Sequence, residues 1–336
     1  MENKNAMNTN RLLKILAIVT VIGAYVMIVL GVLVSTTGSG RGCGDTWPFC
    51  HGEIIPGSFT VKELTEYSHR VMSSADGFLV LVLTVWSWLA YRKDGLIKLY
   101  AFLSLLFVVI QGALGGVTAV YEGTWAINWL LSIHFGLALI AFASVVLLTT
   151  RLFELGREPQ ERPEGRPFFP ALWLQISFWA LAVYTYLVVY TGAYVQHTGA
   201  VVGCNGHQFP SCGSYALDFV SLPGIQMLHR YAASLLWFAM LVLLIAVLRR
   251  YRERRALVIG AWWSMILVTL QALVGVANVL TTGQMVPALI HATLVSVFFS
   301  VLCYLCAQVG WPGKRERPAE QAEGQSVEPE TIPART

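Results

Sequence analysis

Apolar and polar positions alternate along this chain in long blocks. Eight stretches of predominantly apolar residues, Ile15–Val34, Val71–Tyr91, Leu99–Tyr121, Trp129–Thr150, Ala171–Tyr194, Ile225–Leu248, Ala256–Val279 and Met285–Val309, are separated by short polar segments. Each has about the 20 residues that an α-helix needs to cross a bilayer core. The pattern predicts an all-α integral membrane protein with eight transmembrane helices. Composition agrees: 56% of residues are hydrophobic and 12% are charged, where soluble domains carry roughly 25% charged residues. A soluble protein with eight buried helices is the reading this excludes.

The net charge of +4 matters less than where the cations lie. They gather before the first span (Lys4, Arg11, Lys14) and after the last (Lys314, Arg315, Arg317, Arg335), and between spans two and three (Arg92, Lys93, Lys98), four and five (Arg151, Arg157, Arg162, Arg166), and six and seven (Arg249, Arg250, Arg252, Arg254, Arg255). These are 19 of the 23 Lys and Arg. The positive-inside rule then puts both termini in the cytoplasm. A basic start before an apolar run resembles a signal peptide, but the first run is too long and has a partner later in the chain. The residues after Trp311, rich in Glu, Pro, Gln and Arg, read as a disordered cytoplasmic tail. Membrane lipid is the implied surroundings; nucleic acid is not an expected partner.

The chain repeats itself. Thr37-Gly38, Gly42 and Cys43 follow span one as T-G-x-x-x-G-C, and Thr198-Gly199, Gly203 and Cys204 follow span five in the same pattern, 161 residues on. Cys50 and Cys212 are 162 apart, His69-Arg70 and His229-Arg230 160, Gln111 and Gln271 160, and His134 and His291 157. The expectation is two tandem four-helix bundles, 1–150 and 171–310, joined by a linker at 151–170 and followed by a tail at 311–336. Four helices is an even number, so the duplication is parallel rather than inverted.

Spans two, four, six and eight run inward. His69 and His229 stand at the mouths of the second and sixth apolar runs. His134 and His291 lie six residues beyond Asn128 and Met285, about 9 Å into the membrane. Ionisable groups in spans are costly and usually functional. One alone would more often be a hydrogen-bonded core residue; four at repeat-related positions are not so explained. Two imidazoles on facing helices suit the two axial positions of a haem iron, and a bundle core is a usual cofactor site. Zinc would want three or four ligands. Arg70 and Arg230, next to two of the histidines, are candidates to pair with haem propionates, against the plainer role of snorkelling to the interface.

The repeat sets Glu66 opposite Gln226. Three residues before His69, Glu66 shares its helix face. An acid beside one site and an amide beside the other suggests that haem reacts in the first half and carries electrons in the second. The plainer reading of Glu66 is a helix-start acid favoured by the dipole. Asp76, further into span two, is the main mid-span acid and has no role in this scheme.

Eight spans, a duplicated four-helix unit, histidines 69, 134, 229 and 291, E-x-x-H at Glu66–His69 and the loop "TGSGRGCGDTWPFC" together resemble the haem A synthase family, over nearly all of the chain before the tail. The resemblance implies oxidation of a haem O methyl group, through an alcohol and a gem-diol, to a formyl group. It implies haem O substrate held by His69 and His134, haem b held by His229 and His291 as an electron-transfer cofactor, and Glu66 as the catalytic carboxylate. Implied partners are a haem O synthase that delivers the substrate and an electron donor or acceptor; a homo-oligomer is compatible with it. The implied location is the cell membrane, with the haem sites toward its outer side. The competing readings are a quinol-linked dihaem electron carrier without haem modification, which leaves the Glu66/Gln226 difference unexplained, and a haem-free transporter. A transporter predicts broken helices and polar midplane residues.

Cys43, Cys50, Cys204 and Cys212 fall in loops of an outer compartment that permits disulfides. The economical pairing is Cys43–Cys50 and Cys204–Cys212, with cross-pairing left open. A staple over each site is the first reading, and a redox role for Cys43–Cys50 the sharper one. Cys303 and Cys306 read as packing residues. His51, His197 and His207 do not follow the repeat as ligands. "CNGHQFPSC" has one more residue between its cysteines than the first loop, and lacks its Trp-Pro pair.

Overall fold

The structure, a computed structural model, describes residues 2–313 except 58, 122, 125, 156–169, 205–210, 214 and 216, with side chains described from Arg11. Residues 156–169 of the expected linker, and the tail from Lys314, lie outside these residues, while 151–154 of the linker belong to the fourth helix. Eight helices follow in order: α1 (Glu2–Thr36), α2 (Val61–Ala90), α3 (Gly95–Tyr121), α4 (Ile127–Glu154), α5 (Leu172–His197), α6 (Leu222–Arg250), α7 (Arg255–Leu280) and α8 (Met285–Val309). All eight are long and apolar enough to span a membrane, and no strand occurs among the described residues. Large apolar side chains such as Phe78, Val109, Leu235, Phe238, Val242 and Leu273 point outward, as lipid-facing helix surfaces require.

The second helix, like the first, begins well before its apolar run. Its apolar run begins at Val71, but α2 begins ten residues earlier, at Val61. A polar signal sets that start. Thr60 Oγ1 accepts from Glu63 N, and Glu63 Oε2 accepts from Thr60 N at 2.6 Å, a reciprocal capping box. Ser221 likewise caps α6, which begins at Leu222 rather than Ile225. His69 and His229 therefore do not stand at helix mouths. They lie eight and seven residues inside their helices, about 10–12 Å along the axis, level with His134 in α4 and His291 in α8.

Each set of four closes on itself. In the first, α1 packs on α2 and α4, and α3 lies between α2 and α4; in the second, α5 packs on α6 and α8, and α7 lies between α6 and α8. The sets meet where α4 touches α5 and α8, and α1 touches α8. Inside lipid, burial of apolar area drives helix association little, so close packing must hold these seams. Glycines permit it. A methyl group on Gly136 would stand 2.8 Å from the ring of Tyr190 across the seam, and, within the second set, one on Gly260 would stand 2.5 Å from Leu305. Trp129 of α4 stacks on Tyr194 of α5 with ring centres 4.2 Å apart, and the Tyr25 and Thr293 hydroxyls join α1 to α8 at 3.0 Å.

The apolar cores avoid the histidines. Leu13, Val80, Leu83, Ile97, Leu148 and Leu152 fill the first set at the end away from the disulfide loops, and Phe178, Met240, Leu257, Phe298, Leu302 and Leu305 fill the second. A third cluster, including Ile28, Leu139, Phe142, Val189 and Phe299, cements the seam.

Candidate functional site

The T-G-x-x-x-G-C motif is a helix ending followed by a dock. The threonine hydroxyl donates back into its own helix, Thr37 to Leu33 O at 2.7 Å and Thr198 to Tyr194 O at 2.6 Å. The first glycine adopts the left-handed conformation, φ +60° at Gly38 and +71° at Gly199, which a side chain would resist. The second lies against the start of the next helix: a methyl on Gly42 would stand 2.5 Å from Lys62 O, and one on Gly203 2.6 Å from Leu222 Cβ. The cysteine then closes its loop. Cys43 is bonded to Cys50 and Cys204 to Cys212, so the within-loop pairing is the one the fold adopts.

Four histidines, two from each set, are each seated on a glycine of the preceding helix. Methyl groups on Gly31, Gly115, Gly192 and Gly275 would stand 3.4, 3.9, 2.8 and 3.1 Å from Cε1 of His69, His134, His229 and His291. Each ring brings its Cε1 up to the backbone of the facing helix at a position without a side chain. His69 and His134 are neighbours in the first set, and His229 and His291 in the second. The glycine seats escaped the sequence reading. Their signal was present, since Gly31 and Gly192 are 161 apart and Gly115 and Gly275 160 apart.

The ring nitrogens carry more information. Nδ1 of His69, His134 and His291 is buried without a hydrogen-bond partner. Nδ1 of His229 lies 2.9 Å from Thr191 Oγ1, whose own proton goes to Val188 O at 2.7 Å. A hydroxyl has one proton to give. His229 Nδ1 is therefore the donor, and the neutral ring's free lone pair is on Nε2, ready for a metal. Gln111 is no ligand; its Nε2 donates to the His134 carbonyl at 2.8 Å and ties α3 to α4. Gln271 Oε1 is buried and unpartnered. No group of three or more His, Cys, Asp or Glu gathers at one point among the described residues.

Glu66 is buried, 6% exposed. Its Oε2 accepts from the backbone N–H of Cys43 at 2.8 Å and its Oε1 from Arg70 Nη2. Arg70 Nη1 donates to the carbonyls of Thr46, at 2.9 Å, and Phe49. The ion pair thus clamps the first disulfide loop to α2, one turn above His69. In the second set Gln226, 2% exposed, leaves Oε1 without a partner, and Arg230 Nη2 donates to Cys204 Sγ at 3.4 Å. Where the first clamp has Glu66, the second has the amide of Gln226. Arg70, expected to face haem propionates, spends three of its five donors inside the protein.

His197 ends α5 and is hydrogen-bonded through Nδ1 to Ser35 at 3.3 Å, within electrostatic reach of His134; it belongs to the seam. His51 lies in the first loop and pairs with Glu63 at 3.0 Å. His207 lies outside the described residues. Cys303 and Cys306 are free thiols on α8. A 490 Å³ concavity lined by Ile176, Trp179, Val183, Leu187 and Trp311 opens on the outer face of α5, well away from the histidines.

Residues 14–303 match the model of a family described as cytochrome oxidase assembly protein. Among curated relatives, the heme A synthase of Halalkalibacterium halodurans is 40% identical over 301 residues, covering 88% of this chain and 96% of that one. Those of Bacillus mycoides and Shouchella clausii are each 38% identical, over 296 and 298 residues, covering 88% and 87% of this chain and 92% and 95% of theirs.

Proposed function

Because the chain belongs to the cytochrome oxidase assembly protein family, we propose that it is a haem A synthase, a membrane oxidoreductase converting the methyl group of haem O to the formyl group of haem A. The observation that carries this is the double pair of glycine-seated histidines in a chain similar along nearly its whole length to heme A synthases. The residues fit haem. The four imidazoles are buried in two neighbouring pairs, and His229, with its Nδ1 spent on Thr191, keeps Nε2 free for a metal.

In this reading 1–150 and 171–310 are duplicated units. His69 and His134 hold the substrate haem O; His229 and His291 hold haem b, which supplies one-electron chemistry when bound. Arg70 and Arg230, beside His69 and His229, meet propionates. Glu66 is the group that separates the units. Its carboxylate is polarised by Arg70 and the Cys43 N–H, one turn from His69, where it can stabilise a developing cation or take a proton from the oxidised methyl carbon. The disulfide loop held by Glu66 and Arg70 covers this end of the unit and limits water there. Both termini lie in the cytoplasm and the loops outside in this reading, which the cation distribution supports. A haem O synthase supplies the substrate.

The test is Glu66→Gln. The amide keeps one acceptor but loses the charge that binds Arg70. A catalytic carboxylate replaced this way costs about 10²–10⁴ in rate. Membranes supplied with haem O are extracted and the ratio of haem A to haem O is measured, with haem b in parallel. Loss of haem A at unchanged haem b supports the assignment. Wild-type conversion leaves Glu66 as a loop clamp alone. Joint collapse of haem b and conversion makes it structural. Haem b without any haem A from the unaltered chain would identify an electron carrier instead.

A further inference from the structure

One level below the histidines the two sets differ in a way that Glu66 does not explain. Asp76 lies seven residues beyond His69 on α2, so on the same face and about 10 Å deeper. It is 5% exposed, and its Oδ1 has no hydrogen-bond partner. The opposing residue on α1 is Gly23, eight residues before the Gly31 that seats His69, and Asp76 Oδ1 fills the place where a Cβ would stand. The same steps in the second set, eight back from Gly192 and seven on from His229, give Tyr184 and Leu236. Leu236 is buried, and Tyr184 donates its hydroxyl to Ala232 O at 3.0 Å. There the level is closed: an aromatic ring faces an aliphatic side chain, and the one polar atom is satisfied. In the first set a glycine faces a carboxyl group with an open acceptor.

Resting on the reading that the first set takes haem O, we propose that Asp76 is a specificity-determining residue that accepts a hydrogen bond from the alcohol on the substrate's side chain. Haem O differs from haem b in carrying a hydroxylated isoprenoid chain where haem b has a vinyl group. With the propionates at the Arg70 end, the ring edge that bears this chain points along α2 toward Asp76. A buried acceptor that only the correct ligand satisfies discriminates strongly, because the ligand lacking the hydroxyl leaves it unpaired. The Tyr184–Leu236 level offers nothing to a hydroxyl and leaves the second set to the haem without one. Gly23 positions the carboxyl by leaving it the notch.

The test uses the full chain, purified from cells that make no haem O, and titrates it separately with haem O and with haem b while absorbance is followed. Asp76→Leu should lower the ratio of haem O to haem b affinity at the first site by about 10–100-fold, with haem b binding in the second set unchanged. Asp76→Asn, which keeps an acceptor oxygen and the shape, should retain most of the preference, and Gly23→Ala, which evicts the carboxyl from the notch, should lose it. A wild-type preference in both Asp76→Leu and Gly23→Ala overturns the proposal. Should Asp76→Leu fail to accumulate, Gly23→Ala and Asp76→Asn decide alone. A wild-type protein that takes up no haem O would instead remove the functional reading on which the proposal rests.

Discussion

The glycine seats make a graded prediction. Adding one methyl group to each of Gly192, Gly275, Gly31 and Gly115 places a carbon 2.8, 3.1, 3.4 and 3.9 Å from the facing imidazole Cε1. Ordinary contact between carbons lies near 3.5–4.0 Å. Gly115→Ala therefore fits unchanged and gains about 0.8–1 kcal/mol of helix propensity. Gly31→Ala touches lightly. Gly275→Ala must move the ring by a few tenths of an ångström. Gly192→Ala must move it further, and His229 cannot yield freely, because Thr191 holds its Nδ1 and the methyl would also stand 3.3 Å from Nε2. Overpacking of this kind costs about 1–3 kcal/mol, which more than cancels the propensity gain. The displaced nitrogen is the one proposed to bind iron. Reduced-minus-oxidised spectra of purified variants, with haem content per protein and detergent melting curves, read both effects. The low-spin signal should fall in the order Gly192, Gly275, Gly31, Gly115, with Gly115→Ala at or above wild-type stability. A normal spectrum in Gly192→Ala beside a lost one in Gly115→Ala would refute the seating argument.

Two further outcomes follow from single contacts. Thr191→Val removes the acceptor that fixes the His229 tautomer; outer partners of this kind are worth about 10–100-fold in metal affinity, so haem b should dissociate faster from the variant in a transfer assay to apomyoglobin. Asp218, half-buried ahead of α6, is held below the usual carboxylate range by the N–H and hydroxyl of Ser221 and the N–H of Val220. Its contribution is present above about pH 4 and lost as pH falls through the depressed folded value, so the Val220 and Ser221 amides should exchange faster in Asp218→Asn than in wild type at pH 6, and the difference should vanish in strong acid.

Hydropathy located every span, because a bilayer demands long apolar helices and little else. It placed the start of α2 ten residues late, because that end is fixed by Thr60 and Glu63, two polar residues satisfying backbone groups outside the apolar run. The error mattered: it put His69 and Arg70 at a mouth instead of two turns inside. The histidines themselves were legible as expensive residues at repeating intervals. Their seats were not, since a glycine in a membrane helix has many uses, and only coordinates show which backbone faces which ring. The Glu66–Arg70 pair was hidden differently. A separation of four on one helix permits it, but the choice between a propionate and a neighbouring carboxylate depends on how the disulfide loop folds over both.

The cost of acids in lipid bears on what the two sets are for. A carboxylate at a helix centre costs about 2.5–3.5 kcal/mol even on insertion scales, and an unpartnered buried polar group costs about 1–3 kcal/mol. The second set shows what the architecture needs for itself: Gln226 and Leu236 stand at the two levels, and its helices close in the same order with the same glycine seats. Neither Glu66 nor Asp76 is required to build such a bundle. Glu66 offsets its cost through Arg70 and the Cys43 N–H, so a structural account of it can be given. Asp76 has no such offset at Oδ1, and Leu236 is the cheaper solution at its level. A residue that the fold would be more stable without is explained by what binds to it. Of the two acids that set the first unit apart, the deeper one therefore makes the stronger physical case for a ligand.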